Sequence, residues 1–136
     1  MNHWLLKSEP EAWSWSDQCA RKDQGEWWDG VRNYQASNNM RAMKKHDRAF
    51  FYHSGKKACM VGIVEIIHEA KLDPSDPKQK FYMVCVRARE AFPIPVSLHT
   101  LKEKVPTLCI LRQSRLSVAP VQEKEWEQIK SLGGFV

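Results

Sequence analysis

The richest chemistry in the chain lies in Trp27-Trp28-Asp29-Gly30-Val31-Arg32-Asn33-Tyr34. Two indoles and a phenol offer flat faces. Arg32 adds a planar guanidinium and Asn33 an amide, and Gly30 allows the turn that brings them together. A nucleobase pocket needs this set. Stacking on an aromatic ring contributes roughly 1–3 kcal/mol per base, and an Asn amide meets a base edge with a donor and an acceptor at once. Five of the six tryptophans (Trp4, Trp13, Trp15, Trp27 and Trp28) fall in the first 28 residues. Core packing must claim some of them, because buried rings dominate interior contacts.

Catalytic constellations are weaker. Ser54-Gly55-Lys56 has the end of a phosphate-binding loop, but the glycine required five residues before Gly55 is Phe50. His53 beside Ser54 has no nucleophile elbow to serve. Glu9, Asp29 and Glu65 are isolated carboxylates without a paired acid. An enzyme acting on a nucleotide or base through Glu9, Asp29 or His53 is therefore the alternative reading, and a catalytic site is not expected. Cys19, Cys59, Cys85 and Cys109 are widely spaced and so are the five histidines, which argues against a zinc site and against a disulfide framework. Neither a metal nor a cofactor is expected.

Charge points the same way as the aromatic motif. The formal net charge is +5. Arg41, Lys44, Lys45, Arg48, Lys56 and Lys57 against Asp47 account for all of it, since the rest of the chain holds 15 basic and 15 acidic residues. A basic patch of this kind attracts a polyanion in a salt-dependent way.

These residues need elements to hold them. Residues 3–7 read as a strand. Ser14 with Asp17 three residues on marks a helix start, running to about Lys22. Ala36, Met40 and Met43 mark a helix over about 35–45. Strands are expected over 49–54, 60–69 and 81–89, the last apolar on both faces and hence central. The Pro-containing stretch 72–80 is their connection. A helix over 98–104, a short strand over 117–120 and a helix over 122–132 stopped by Gly133 complete the chain. The pattern is α+β, with an antiparallel meander able to curl into a small barrel.

At 136 residues, 43% hydrophobic and 27% charged, the chain fits one domain and is too apolar for disorder. No apolar run is long enough for a membrane helix, and the start, Met1-Asn2-His3, has no secretory pattern. A cytoplasmic protein with reduced cysteines is expected, with association with the nucleoid as the alternative placement.

Four ordered motifs resemble the EVE domain family and its thymocyte nuclear protein-like group. They are Trp4-Leu5-Leu6-Lys7-Ser8-Glu9-Pro10; Trp28 to Ala36 with Asn38, Arg41 and Met43; Phe50 to Ser54 with Val61 to Glu65; and Arg112 to Val118 with Pro120. The resemblance implies a PUA-like fold, a small bent β-barrel of five to six mostly antiparallel strands with short helices around it. It implies kinship with YTH domains and a non-enzymatic reader of a modified base, with modified cytosine such as 5-methylcytosine in DNA favoured and modified RNA the rival. The missing basic N-terminal extension implies a stand-alone, bacterial version. The implied pocket comprises Lys7, Ser8 and Glu9; Trp28, Gly30, Val31, Arg32, Asn33 and Tyr34; Asn38 facing inward; and His53 and Ser54 opposite. Trp28 or Tyr34 would stack on a flipped base. Asn33, Ser8 and Asn38 would read its edge, and Glu9 would accept from its exocyclic amine. Arg32, Arg41, Lys44, Lys45, Lys56 and Lys57 would meet phosphates. Ser37 departs from the family's usual Arg, which puts the pocket wall and its ligand in question.

Overall fold

The computed structural model describes residues 2–135. Six strands form one mixed sheet in the order β2-β5-β4-β3-β1-β6. They are β1 (His3–Ser8), β2 (Glu26–Trp27), β3 (Arg48–His53), β4 (Cys59–Leu72), β5 (Tyr82–Ser97) and β6 (Val118–Val121). Five α-helices surround it: α1 (Trp15–Ala20), α2 (Tyr34–Ala42), α3 (Leu98–Lys104), α4 (Cys109–Arg112) and α5 (Glu123–Leu132). The α+β, PUA-like class holds. The expected barrel does not close: β2 and β6 remain the edges of the sheet.

The meander is β3-β4-β5, all antiparallel. β1 pairs parallel to β3, Ser8 opposite His53, so both strands end on the same side of the molecule. β4 and β5 run well past the expected limits of 69 and 89. Register shifts break their ladder at several points, and each extra residue bends the strand and strengthens its twist. Pro93 and Pro95 lie between Ala91 and Val96, inside such a break. There a missing N–H removes no ladder bond.

β3 divides the core. Phe50 stacks on Trp126 of α5 at 3.9 Å and meets Phe92 edge-on. Phe51, its neighbour in sequence, faces the other side, where the rings of Trp15 and Trp28 meet it edge-on at 5.4 and 5.6 Å. Successive strand residues point to opposite faces, so this one strand carries both halves of the core. Ser14 and Asp17 form the expected capping box of α1, and α5 begins with a similar box at Gln122 and Glu125. β2 and α4 had no counterpart in the sequence reading. With two and four residues, they are too short to show a period.

Candidate nucleic-acid-binding site

Asn33 shows how the local sequence builds the site. It is the N-cap of α2, in extended conformation, and its Oδ1 accepts the Ala36 N–H at 2.9 Å. The cap halts the helix at Tyr34 and leaves residues 28–33 as a wall. Trp28 anchors that wall by donating its N–H to the Val84 carbonyl and burying its ring against Phe51. Asp73 fixes its middle. One carboxylate oxygen accepts the Gly30 N–H at 2.8 Å and the Arg32 guanidinium at 3.2 Å, while the other takes both donors of Ser75. Burial alone would raise the Asp73 carboxyl, but these hydrogen bonds outweigh it and hold it down to about 2. Gly30 has φ +78°, which suits a residue without Cβ.

Opposite this wall, the end of β1 presents Lys7, Ser8 and Glu9. The Ser8 hydroxyl donates to the Trp13 carbonyl at 2.8 Å, folding the 9–14 turn over the strand end. Lys7 Nζ donates to the Ser114 carbonyl, and burial lowers the Lys7 ammonium. The two walls enclose a cavity of about 550 Å³, within the range of small-ligand sites. Trp13, Trp27 and Trp28 line it, the Trp27 ring being stacked on His68 with Lys71 Nζ 4.3 Å from its centroid, and Glu9, Glu26 and Asp29 supply its carboxylates. Asn33 lies on its rim with the capping oxygen engaged, so the amide NH2 remains for a ligand.

Of the residues expected in the pocket, the structure brings together Lys7, Ser8, Glu9, Trp28, Gly30, Val31, Arg32 and Asn33. Four expectations of position are corrected. Tyr34 is 59% exposed and packs on Phe81. Asn38 is exposed as well. Both lie one helical turn apart on the outer face of α2, while Ala36, Ser37 and Met40 turn inward. His53 and Ser54 line a separate cavity with Lys56, Lys57 and Cys59, adjoining the first only through Glu9. The His53 Nε2 accepts the Trp15 N–H at 3.0 Å, and burial, opposed by Glu11, lowers the imidazole pKa.

Ser37 is buried, and its hydroxyl accepts the Tyr82 N–H at 3.0 Å. Its departure from the family pattern therefore bears on the α2–β5 seam, not on the cavity wall. Glu65 lies beside Arg48 at the far end of β3, held by Arg87 at 3.0 Å and His46 at 2.7 Å.

The basic run does not form one patch. Arg41, Lys44, Lys45 and Arg48 sit at the N-terminal end of β3, and Lys56 and Lys57 follow its C-terminal end. A strand of six residues, roughly 20 Å, separates them. Only the second group shares the site's end of the molecule. Arg41 instead covers the Tyr82 ring at 4.7 Å. The sequence reading missed Trp13, Glu26, Arg115 and Ser117 as cavity residues. Arg115 and Ser117 stood in the last family motif, and that was the available signal.

An open six-stranded sheet, with an aromatic, amide-rimmed cavity at the ends of its parallel strands, is a fold of the PUA-like class. Residues 2–132 match the EVE domain profile, and the chain belongs to that family. It is 38% identical to thymocyte nuclear protein 1 of Gallus gallus, across 96% of this chain and 68% of that protein. A crystal structure of an Agrobacterium tumefaciens protein superposes with a TM-score of 0.92 at 46% identity, covering 99% of this chain and 94% of that one. Human THYN1 in complex with 5-methylcytosine-containing DNA superposes with a TM-score of 0.91 at 32% identity, covering 98% of each chain. Among the described residues, no helix is long and apolar enough to cross a membrane.

Proposed function

We propose that this chain is a non-enzymatic reader of modified cytosine in DNA, taking an extruded base into the cavity between the β1 end and segment 28–33. The observation that carries this reading is the cavity's combination of Trp13 and Trp28 with the free amide of Asn33 and the carboxylates of Glu9 and Asp29. An indole provides a stacking face. The amide and a carboxylate complement the cytosine edge, whose exocyclic amine needs an acceptor. The human relative in complex with 5-methylcytosine DNA supports the choice of base.

The energetics are consistent. Extruding a base costs a few kcal/mol. One stacking contact and two edge hydrogen bonds offset that cost. One methyl group discriminates by only about 1–3 kcal/mol, so the expected preference is roughly ten- to a hundredfold. The enzymatic alternative loses support from His53, whose Nε2 lone pair is already engaged by Trp15 outside the cavity.

Fluorescence anisotropy with matched duplexes carrying cytosine, 5-methylcytosine or 5-hydroxymethylcytosine, and with methylated single-stranded RNA, tests the proposal. Tighter binding to one modified duplex is expected. Equal binding to all would contradict base reading, and a preference for the RNA would move the function to the rival ligand.

A further inference from the structure

Two smaller clefts adjoin the cavity. One, bounded by Asn33 and Arg115, continues over Arg112 and Gln113. The other, bounded by Lys7 and Ser114, continues toward Lys102 and the apolar side chains of α3 and α4. Asn33, Arg115 and Lys7 are shared with the cavity itself, and Ser114 joins the two clefts, so the three depressions form one continuous surface. The bond from Lys7 to the Ser114 carbonyl ties the 113–117 loop to the end of β1.

Charge is divided across this surface. The cavity balances three carboxylates, Glu9, Glu26 and Asp29, with three cations, Lys7, Arg32 and Arg115, whereas the two clefts hold no carboxylate: their charged groups are Arg112, Arg115, Lys7 and Lys102. Arg112 and Arg115 are exposed. Among the described residues, neither makes an ion pair, nor does either guanidinium donate a hydrogen bond to the protein. By contrast Arg21, Arg32, Arg87 and Arg89 all pair with carboxylates. An uncharged base suits the cavity, and a polyanion suits the clefts beside it.

We propose that the DNA strand carrying the extruded base crosses the molecule on its α3–α4–β6 side, with its phosphates on Arg112, Arg115 and Lys102. This rests on the reading of the cavity as a base pocket. It assigns backbone contact to the loop before β6 and withdraws it from Arg41, Lys44 and Lys45. Lys44 and Lys45 precede β3, at the end of that strand opposite His53, and Arg41 is taken up on the Tyr82 ring. Phosphate contacts set position and affinity without distinguishing bases, so these arginines act equally on modified and unmodified DNA.

The test uses the full chain, with Arg112→Gln and Arg115→Gln singly and together, against Lys44→Gln/Lys45→Gln. Affinity for cytosine and 5-methylcytosine duplexes is measured from 50 to 300 mM salt, with thermal melting to verify each fold. Each arginine change is expected to weaken binding to both duplexes about fivefold near 150 mM salt and to lower the log–log salt slope by about 0.9. The lysine pair is expected to leave both unchanged. Retained affinity and slope in the double arginine variant would overturn the strand path while leaving the base reader standing. A loss confined to the methylated duplex would also overturn it, since that marks base contact. No binding by the unaltered chain to any duplex would remove the base-reader proposal and this one with it.

Discussion

Asn33 does two things with one side chain, and substitution can separate them. Its oxygen caps α2, and its amide NH2 faces the cavity rim. Asn33→Ala removes both functions and is expected to lower stability by about 1 kcal/mol through the lost cap. Asn33→Ser keeps a capping oxygen and loses the amide. It is expected to melt within a few degrees of the parent and still bind modified duplex at least tenfold more weakly. Melting and anisotropy on the two variants check this directly. Asp73 gives a pH signature. Its pKa, about 2, lies below the ordinary aspartate value of 3.8. Its contribution to stability is therefore complete above pH 4 and is lost as pH falls from about 4 toward 2. Asp73→Asn should remove that acid-labile part, on the order of 1–2 kcal/mol, and loosen segment 28–33. Urea unfolding at pH 3 and pH 6 reads it as a parent–variant gap that narrows in acid. Lys7 to Glu9 and Trp28 to Asn33 were legible because they lie in two contiguous motifs. Tyr34 and Asn38 were not, because the cap at Asn33 decides which helical face each one takes. The Asn followed by the periodic Ala36 and Met40 was the overlooked cue.

Elements hold the site through close approach. Trp15 of α1 lies on β4 at Gly62, where an added Cβ would fall 2.3 Å from the indole ring. The same indole meets Phe51 edge-on, and its backbone N–H holds His53. Gly62→Ala should therefore push α1 off the sheet and cost about 1–3 kcal/mol. A clear fall in Tm is expected, together with weaker DNA binding, because α1 follows the turn that carries Trp13. Strand alternation made the existence of β3, β4 and β5 readable from sequence. The length of β3 was readable as well, but those of β4 and β5 were not, because bulges break the period that marks a strand. Pro93 and Pro95 look like stops until a partner strand shows that they lie where the ladder is already broken. The parallel β1–β3 pair was hidden for a related reason. Residues 9–47 separate these strands, and nothing local encodes their pairing.

At the scale of the whole molecule, sequence gives the amount of charge and the fold gives its direction. All of the +5 excess falls in residues 41–57, yet β3 runs through that segment and sends its cations to opposite ends. The cations beside the cavity come chiefly from β1, α3, α4 and the loop before β6, stretches that hold five basic residues against one acid, Glu103, and that the fold gathers at one end of the molecule. The cavity likewise joins residues from the first 33 positions with Arg115 and Ser117. The six tryptophans report on this arrangement. Trp13, Trp27 and Trp28 line the cavity. Trp4 donates its indole N–H to buried Asp47 at 3.0 Å, at the far end of β1, and Trp126 lies across the sheet on Phe50. The most direct measurement is a titration of the indole N–H resonances by two-dimensional NMR with a 5-methylcytosine duplex. A base held in the cavity should shift Trp13 and Trp28 and leave Trp4 and Trp126 in place. Binding that leaves both of these cavity indoles unmoved would contradict the account.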